Sequence, residues 1–67
     1  MRIAVKTVGN RVYYLNFDLI VEFNFEPTEE KGKFHFTYSS TTIENSFDRL
    51  IISREEKNRI LNKLDLL

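Results

Sequence analysis

A chain of 67 residues with ten basic and ten acidic side chains has room for one domain and carries no net charge, which excludes the broad basic surface of a duplex nucleic-acid binder. The absence of cysteine excludes disulfides and thiolate metal sites, and no apolar run approaches the roughly eighteen residues of a membrane-spanning helix, so a cytoplasmic protein without cofactor or metal is expected. The opening Met1 leads to the expectation of a complete one-domain protein over 1–67, with a core so small that dense aromatic packing or self-association must supplement it.

Ile3, Val5 and Thr7 lead into Gly9-Asn10, and Val12, Tyr14 and Asn16 lead away from it, which predicts a hairpin closed by a two-residue turn of residues that tolerate positive φ. Ala4, Val8, Tyr13 and Leu15 occupy the other face, so both faces carry apolar groups. Either the sheet curls or a partner covers the second face. The next five residues, 16–20, break the alternation. Asn16 and Asp18 can bond nearby backbone N–H groups there, which predicts a tight bend into the next strand.

The clearest signal follows. Val21, Phe23 and Phe25 alternate with Glu22, Asn24 and Glu26, and Phe34, Phe36 and Tyr38 alternate with Lys33, His35 and Thr37, around a polar turn at residues 27–32. A register that pairs Phe25 with Phe34, Phe23 with Phe36, Val21 with Tyr38 and Glu26 with Lys33 brings apolar partners together on one face and opposite charges on the other.

Residues 42–52 admit two readings. Ile43, Phe47, Leu50 and Ile51 fall at helical spacing behind Thr42 as an N-cap, whereas the β-rich composition at 41–43 and 50–52 suits an edge strand. The terminal helix is better marked: Ser53 and Glu56 match a capping box, and Ile60, Leu61, Leu64 and Leu67 form an apolar stripe. The expected fold is therefore α+β: a four-stranded antiparallel meander, flat or curled, packed by a C-terminal helix, with or without a short helix before it.

Candidate chemistry is sparse. His35 is the one side chain whose ordinary pKa lies near neutrality, and the register above sets it opposite Asn24 with Glu22 and Glu26 on the diagonals, a polar cluster able to move protons but lacking a nucleophile. The hydroxyls at 39–42 are accounted for by turns and capping, and Gly9 and Gly32 are too isolated to cradle a phosphate. Lys6, Arg11 and Tyr13 share a face in the expected first hairpin and form the candidate nucleic-acid contact. Arg54, Lys57, Arg59 and Lys63 are interleaved with Glu55 and Glu56, as on a solvated helix face.

With no catalytic set and extra apolar strand positions, the sequence points to a noncatalytic module that binds a protein partner or itself, as a homodimer joined through an edge of the first or fourth strand. The alternative is a nucleic-acid binder that uses the aromatic and basic strand face.

Overall fold

The computed structural model describes residues 1–41 and 47–67. Five strands, β1 (Arg2–Lys6), β2 (Val12–Asn16), β3 (Ile20–Pro27), β4 (Lys33–Ser40) and β5 (Asp48–Ser53), precede one helix, α1 (Arg54–Lys63). The α+β class is as expected, but the strands do not form one four-stranded meander. β1 and β2 make a two-stranded antiparallel sheet, and β3, β4 and β5 make a second, with β4 in the centre.

The first hairpin differs from the sequence expectation by one residue. Lys6 pairs with Val12, Val5 with Tyr13 and Ile3 with Leu15. The connection is five residues long because Asn10 alone takes the left-handed conformation, at φ 66°, while Thr7 closes the loop by donating its N–H to Arg11 O at 2.8 Å. A one-residue slip exchanges the faces of the returning strand. Tyr13 and Leu15 therefore join Ile3 and Val5 on the inner face, leaving Ala4, Val12 and Tyr14 outside, where Val12 and Tyr14 stay exposed, so the hairpin keeps apolar groups on both faces.

Residues 16–19 turn the chain as predicted. The Asp18 N–H donates to Asn16 Oδ1 at 3.0 Å, and Leu19 N–H to Asn16 O at 3.0 Å. Asp18 itself receives the N-terminal ammonium of Met1 at 2.7 Å. The turn delivers the chain into the second sheet, so β2 and β3 do not pair.

The second hairpin differs from its expected register by two residues: Phe25 pairs with Phe36, Phe23 with Tyr38, Glu26 with His35 and Pro27 with Phe34. Thr28 N–H donates to Lys33 O at 3.0 Å and closes a loop over 29–32 that ends at Gly32 with φ 82°. An even shift keeps the side chains of 22–26 and 33–38 on their predicted faces and changes only their partners. At the start of β3 the pairing steps from Ile20 with Ser40 to Glu22 with Ser39, so Val21 is a bulge residue, 66% exposed, and does not face Tyr38.

β5 resolves part of the ambiguous segment: Asp48 to Ser53 pair antiparallel with β4, so Leu50 and Ile51 belong to a strand. The proposed capping residue Thr42, together with Ile43, lies outside the described residues. Ser53 does cap α1, its Oγ accepting the Glu56 N–H at 3.1 Å. Past the C-cap Leu64 the chain leaves the helix through Asp65 at φ 58°, where Leu66 N–H returns to Leu61 O at 2.9 Å. Ile60 is wholly buried and Leu64 packs against the core, whereas Leu67 lies beyond the helix and is exposed.

The core lies between the two sheets and the helix. Ile3 and Val5 from β1, Phe34, Phe36 and Tyr38 from β4, Ile52 from β5 and Ile60 from α1 are all buried. Phe36 is its hub, stacked on Phe25 with centroids 4.9 Å apart and in ring contact with Phe17, Phe23 and Tyr38. Lys57 Nζ sits 4.3 Å from the centroid of Phe34, so this basic helix residue lies over an aromatic ring of the core rim as well as facing water.

Candidate functional site: the free edge of β3

In a fold with two sheets, the chemistry of the strand edges decides what remains available. β1 cannot offer the edge expected of it. Glu56 Oε2 accepts the Lys6 N–H at 2.7 Å and Arg59 Nη2 donates to Ala4 O, so one acidic and one basic side chain of α1 occupy the backbone groups that a neighbouring strand would use. The two are themselves paired, Arg59 Nε to Glu56 Oε1 at 2.8 Å. This arrangement holds the Glu56 carboxyl below its usual 4.5, chiefly through the hydrogen bond from Arg59, with burial opposing and the Lys6 N–H assisting. The fourth strand is central, flanked by β3 and β5, and has no free edge. Both edges named for homodimerisation are thus already filled. β5 is partly closed as well, because Val8 N–H donates to Ile51 O at 2.9 Å.

β3 is different. It is eight residues long, stands at the edge of the three-stranded sheet, and among the described residues no backbone partner lies along its outer side from 22 to 26. Phe23 and Phe25 are half-buried on the inner face, and Glu22, Asn24 and Glu26 are exposed on the other. Neither glutamate has a cationic partner among the described residues, since the basic group expected for Glu26, Lys33, is drawn back to Glu30 across the turn. Glu29, in the loop that continues β3, is also without an ion pair. The edge therefore carries a line of uncompensated carboxylates, Glu22 and Glu26 about 13 Å apart along the strand.

The two-residue shift rearranges the polar cluster. His35 faces Glu26 directly, with Asn24 on the diagonal, while Glu22 is moved opposite Ser39. On its other side His35 pairs with Ile51, and its Nδ1 is buried without a hydrogen-bond partner. It forms part of an open cleft of about 440 Å³ with Val8, Thr28, Glu29, Glu30, Lys33 and Ile51. Thr28 Oγ1 is engaged there with the Glu30 backbone and Lys33 with the Glu30 carboxylate, and among the described residues no group of three His, Cys, Asp or Glu is placed to hold a metal ion.

The candidate nucleic-acid contacts are not gathered in one place. Lys6 points outward beside Val12, and Tyr13 points inward beside Val5, half-buried; Arg11 is exposed at the end of the hairpin loop. The separation is a direct result of the one-residue slip, which the sequence could have revealed only through the left-handed conformation of Asn10. The free edge of β3 was missed because a meander would have hidden it against β2.

No protein-family model, curated protein or solved structure matches the chain. Fold and site define a small α+β domain with a long, acidic, unpaired strand edge. No helix among the described residues is long and apolar enough to cross a membrane.

Proposed function

We propose that the protein is a noncatalytic interaction module that binds a protein partner by accepting an extended segment along the free edge of β3. The observation that carries this reading is the contrast between edges: β1 is closed by Glu56 and Arg59, β5 is touched by Val8, and of the two outer strands that remain, β2 has five residues whereas β3 has eight and leaves its outer N–H and C=O groups to solvent over 22–26. A strand added there gains main-chain hydrogen bonds in the manner of other peptide-binding sheets. The aromatic cluster around Phe36 holds β3 rigid from behind, so the ordering cost falls mainly on the incoming segment. A nucleic-acid backbone is disfavoured on this face by the carboxylates of Glu22, Glu26 and Glu29.

The reading is tested by selecting peptides from a random displayed library on the full chain and titrating the winners into isotope-labelled protein. Amide shifts concentrated at 22–26 support it. Binders that leave those amides unmoved, or a selection that yields none, overturn it.

A further inference from the structure

The charge pattern of the edge specifies what kind of segment it takes. Resting on the edge-pairing reading above, we infer that the occupant of β3 is an extended protein segment with Lys or Arg at two positions four residues apart, set across from Glu22 and Glu26, and smaller polar or apolar residues between them.

Three observations lead there. The carboxylates of Glu22 and Glu26 are exposed on one face of the edge strand and unpaired, and residues directly opposite in an antiparallel ladder come close enough for opposite charges to attract and like charges to repel. The usable edge is also short and fixed in position. The bulge at Val21 bends the strand at one end, and Pro27, which lacks an N–H, ends it at the other, so an added strand is held to the five residues between them. Glu29 adds a third carboxylate in the loop beyond Pro27, where a basic residue preceding the antiparallel paired stretch would meet it.

A second copy of the chain fits this edge poorly. Antiparallel pairing of β3 with itself about Asn24 sets Glu22 against Glu26 of the other copy, and centring on either glutamate sets it against its own equivalent. A slip by one residue places a carboxylate against Phe23 or Phe25. Centring on Phe23 or Phe25 instead leaves a glutamate across from Asn24 with carboxylates of the other copy on the diagonals, so no register of β3 with itself supplies the counter-charges that a basic strand brings to both glutamates.

The test uses the intact protein and three short synthetic peptides of one length that alternate Val and Thr: one with Lys at two positions four apart, one with Glu at those positions and one with Thr. The Lys peptide is expected to bind with shifts at the amides of 22–26, to weaken as salt rises, and to lose roughly two- to thirtyfold in affinity against an E22Q/E26Q double variant. That variant alters only exposed, unpaired side chains, and an E22K/E26K variant is expected to prefer the Glu peptide instead. Equal binding of all three peptides at the β3 amides overturns the charge inference and leaves the edge reading intact. Binding of the Lys peptide without movement of those amides overturns both. A free protein that dimerises through β3 overturns the inference in favour of a second copy.

Discussion

Glu56, in the first turn of α1, accepts the backbone N–H of Lys6 in the first strand at 2.7 Å, fifty residues away in sequence. The sequence marks Glu56 as the return arm of a capping box, and half of that box forms, with Ser53 Oγ accepting the Glu56 N–H. The other half is diverted: instead of reaching Ser53 N–H, the carboxylate closes the edge of β1, with Arg59 beside it on Ala4 O. One residue thus ties the helix, the two-stranded sheet and the second sheet's cap together. It also explains why β1, although it stands at the edge of its sheet, offers no free edge.

Removing the Glu56 carboxylate therefore costs more than a surface ion pair. Glu56→Ala strands a backbone donor and a guanidinium, and the expected loss is about 2 kcal/mol in urea unfolding at neutral pH, the scale of a charge-assisted hydrogen bond. The pH dependence has a definite sign. Because the folded-state pKa lies below 4.5, the contribution is complete above that value and is lost as pH falls through the folded-state pKa. Wild type and Glu56→Gln should differ in stability at pH 7 and converge in acid; a constant gap down to the acid limit would remove the carboxylate from this role.

Phe36 should be the least replaceable residue of the core. It is fully buried and touches four other rings, so Phe36→Ala is expected to cost about 3–5 kcal/mol, comparable to the whole stability of so small a domain. Near-ultraviolet circular dichroism should show the aromatic signal lost at room temperature. Phe36→Leu, which fills most of the space, should keep the fold with a lower urea midpoint, and an unchanged midpoint in Phe36→Ala would show that the cluster packs around something else.

The contrast between the two hairpins explains how much could be read in advance. The existence of β1 to β4, the inner and outer faces of β3 and β4 and the start of α1 follow from alternation and capping residues, because those signals are local, whereas β5 lies in a stretch whose composition suits helix and strand alike. Register is set by loop conformation, which the sequence expresses weakly. At 27–32 the difference is two residues, so Phe23, Phe25, Phe34, Phe36 and Tyr38 still point inward while every cross-strand partner changes, Glu26 meeting His35 in place of Lys33. At 7–11 the difference is one residue, and it moves Tyr13 from the outer face to the inner one, away from Lys6 and Arg11. The division into two sheets was harder still, since it depends on where residues 17–19 send the chain. The site is an edge, a property of topology, and no motif announces it.

Tyr38 supplies a pH response at the alkaline end. Burial, with Asp48 and Tyr13 nearby, raises its pKa above 10.0, so the neutral phenol is the form the folded state prefers. A raised folded-state pKa means that stability is full below 10.0 and declines as pH rises through the folded value. Thermal unfolding of wild type should therefore fall off in strong alkali more steeply than that of Tyr38→Phe, which has no proton to lose. Parallel curves for the two proteins would show that the phenol ionises as easily folded as unfolded.

The two glycines should respond in opposite ways to the same substitution. Gly32 ends the loop that sets the register of β3 against β4 and does so at φ 82°, a conformation that an L side chain reaches only at a cost of roughly 1–2 kcal/mol. Space is not the obstacle, because a Cβ there meets nothing within 4 Å. The whole penalty of Gly32→Ala is thus backbone strain, and Gly32→Asn should recover part of it, since Asn visits the left-handed region more readily. Gly9 lies in the other loop without positive φ, and a Cβ there comes no closer than 3.8 Å to Thr7 Oγ1, an ordinary contact. Gly9→Ala is therefore expected to leave stability unchanged or raise it by about 0.4–1 kcal/mol by restricting the unfolded chain. Urea unfolding of both variants checks the pair. If Gly32→Ala were as stable as wild type, the loop over 29–32 would close by another route, and the pairing of Glu26 with His35 and the position of the acidic edge would have to be redrawn with it.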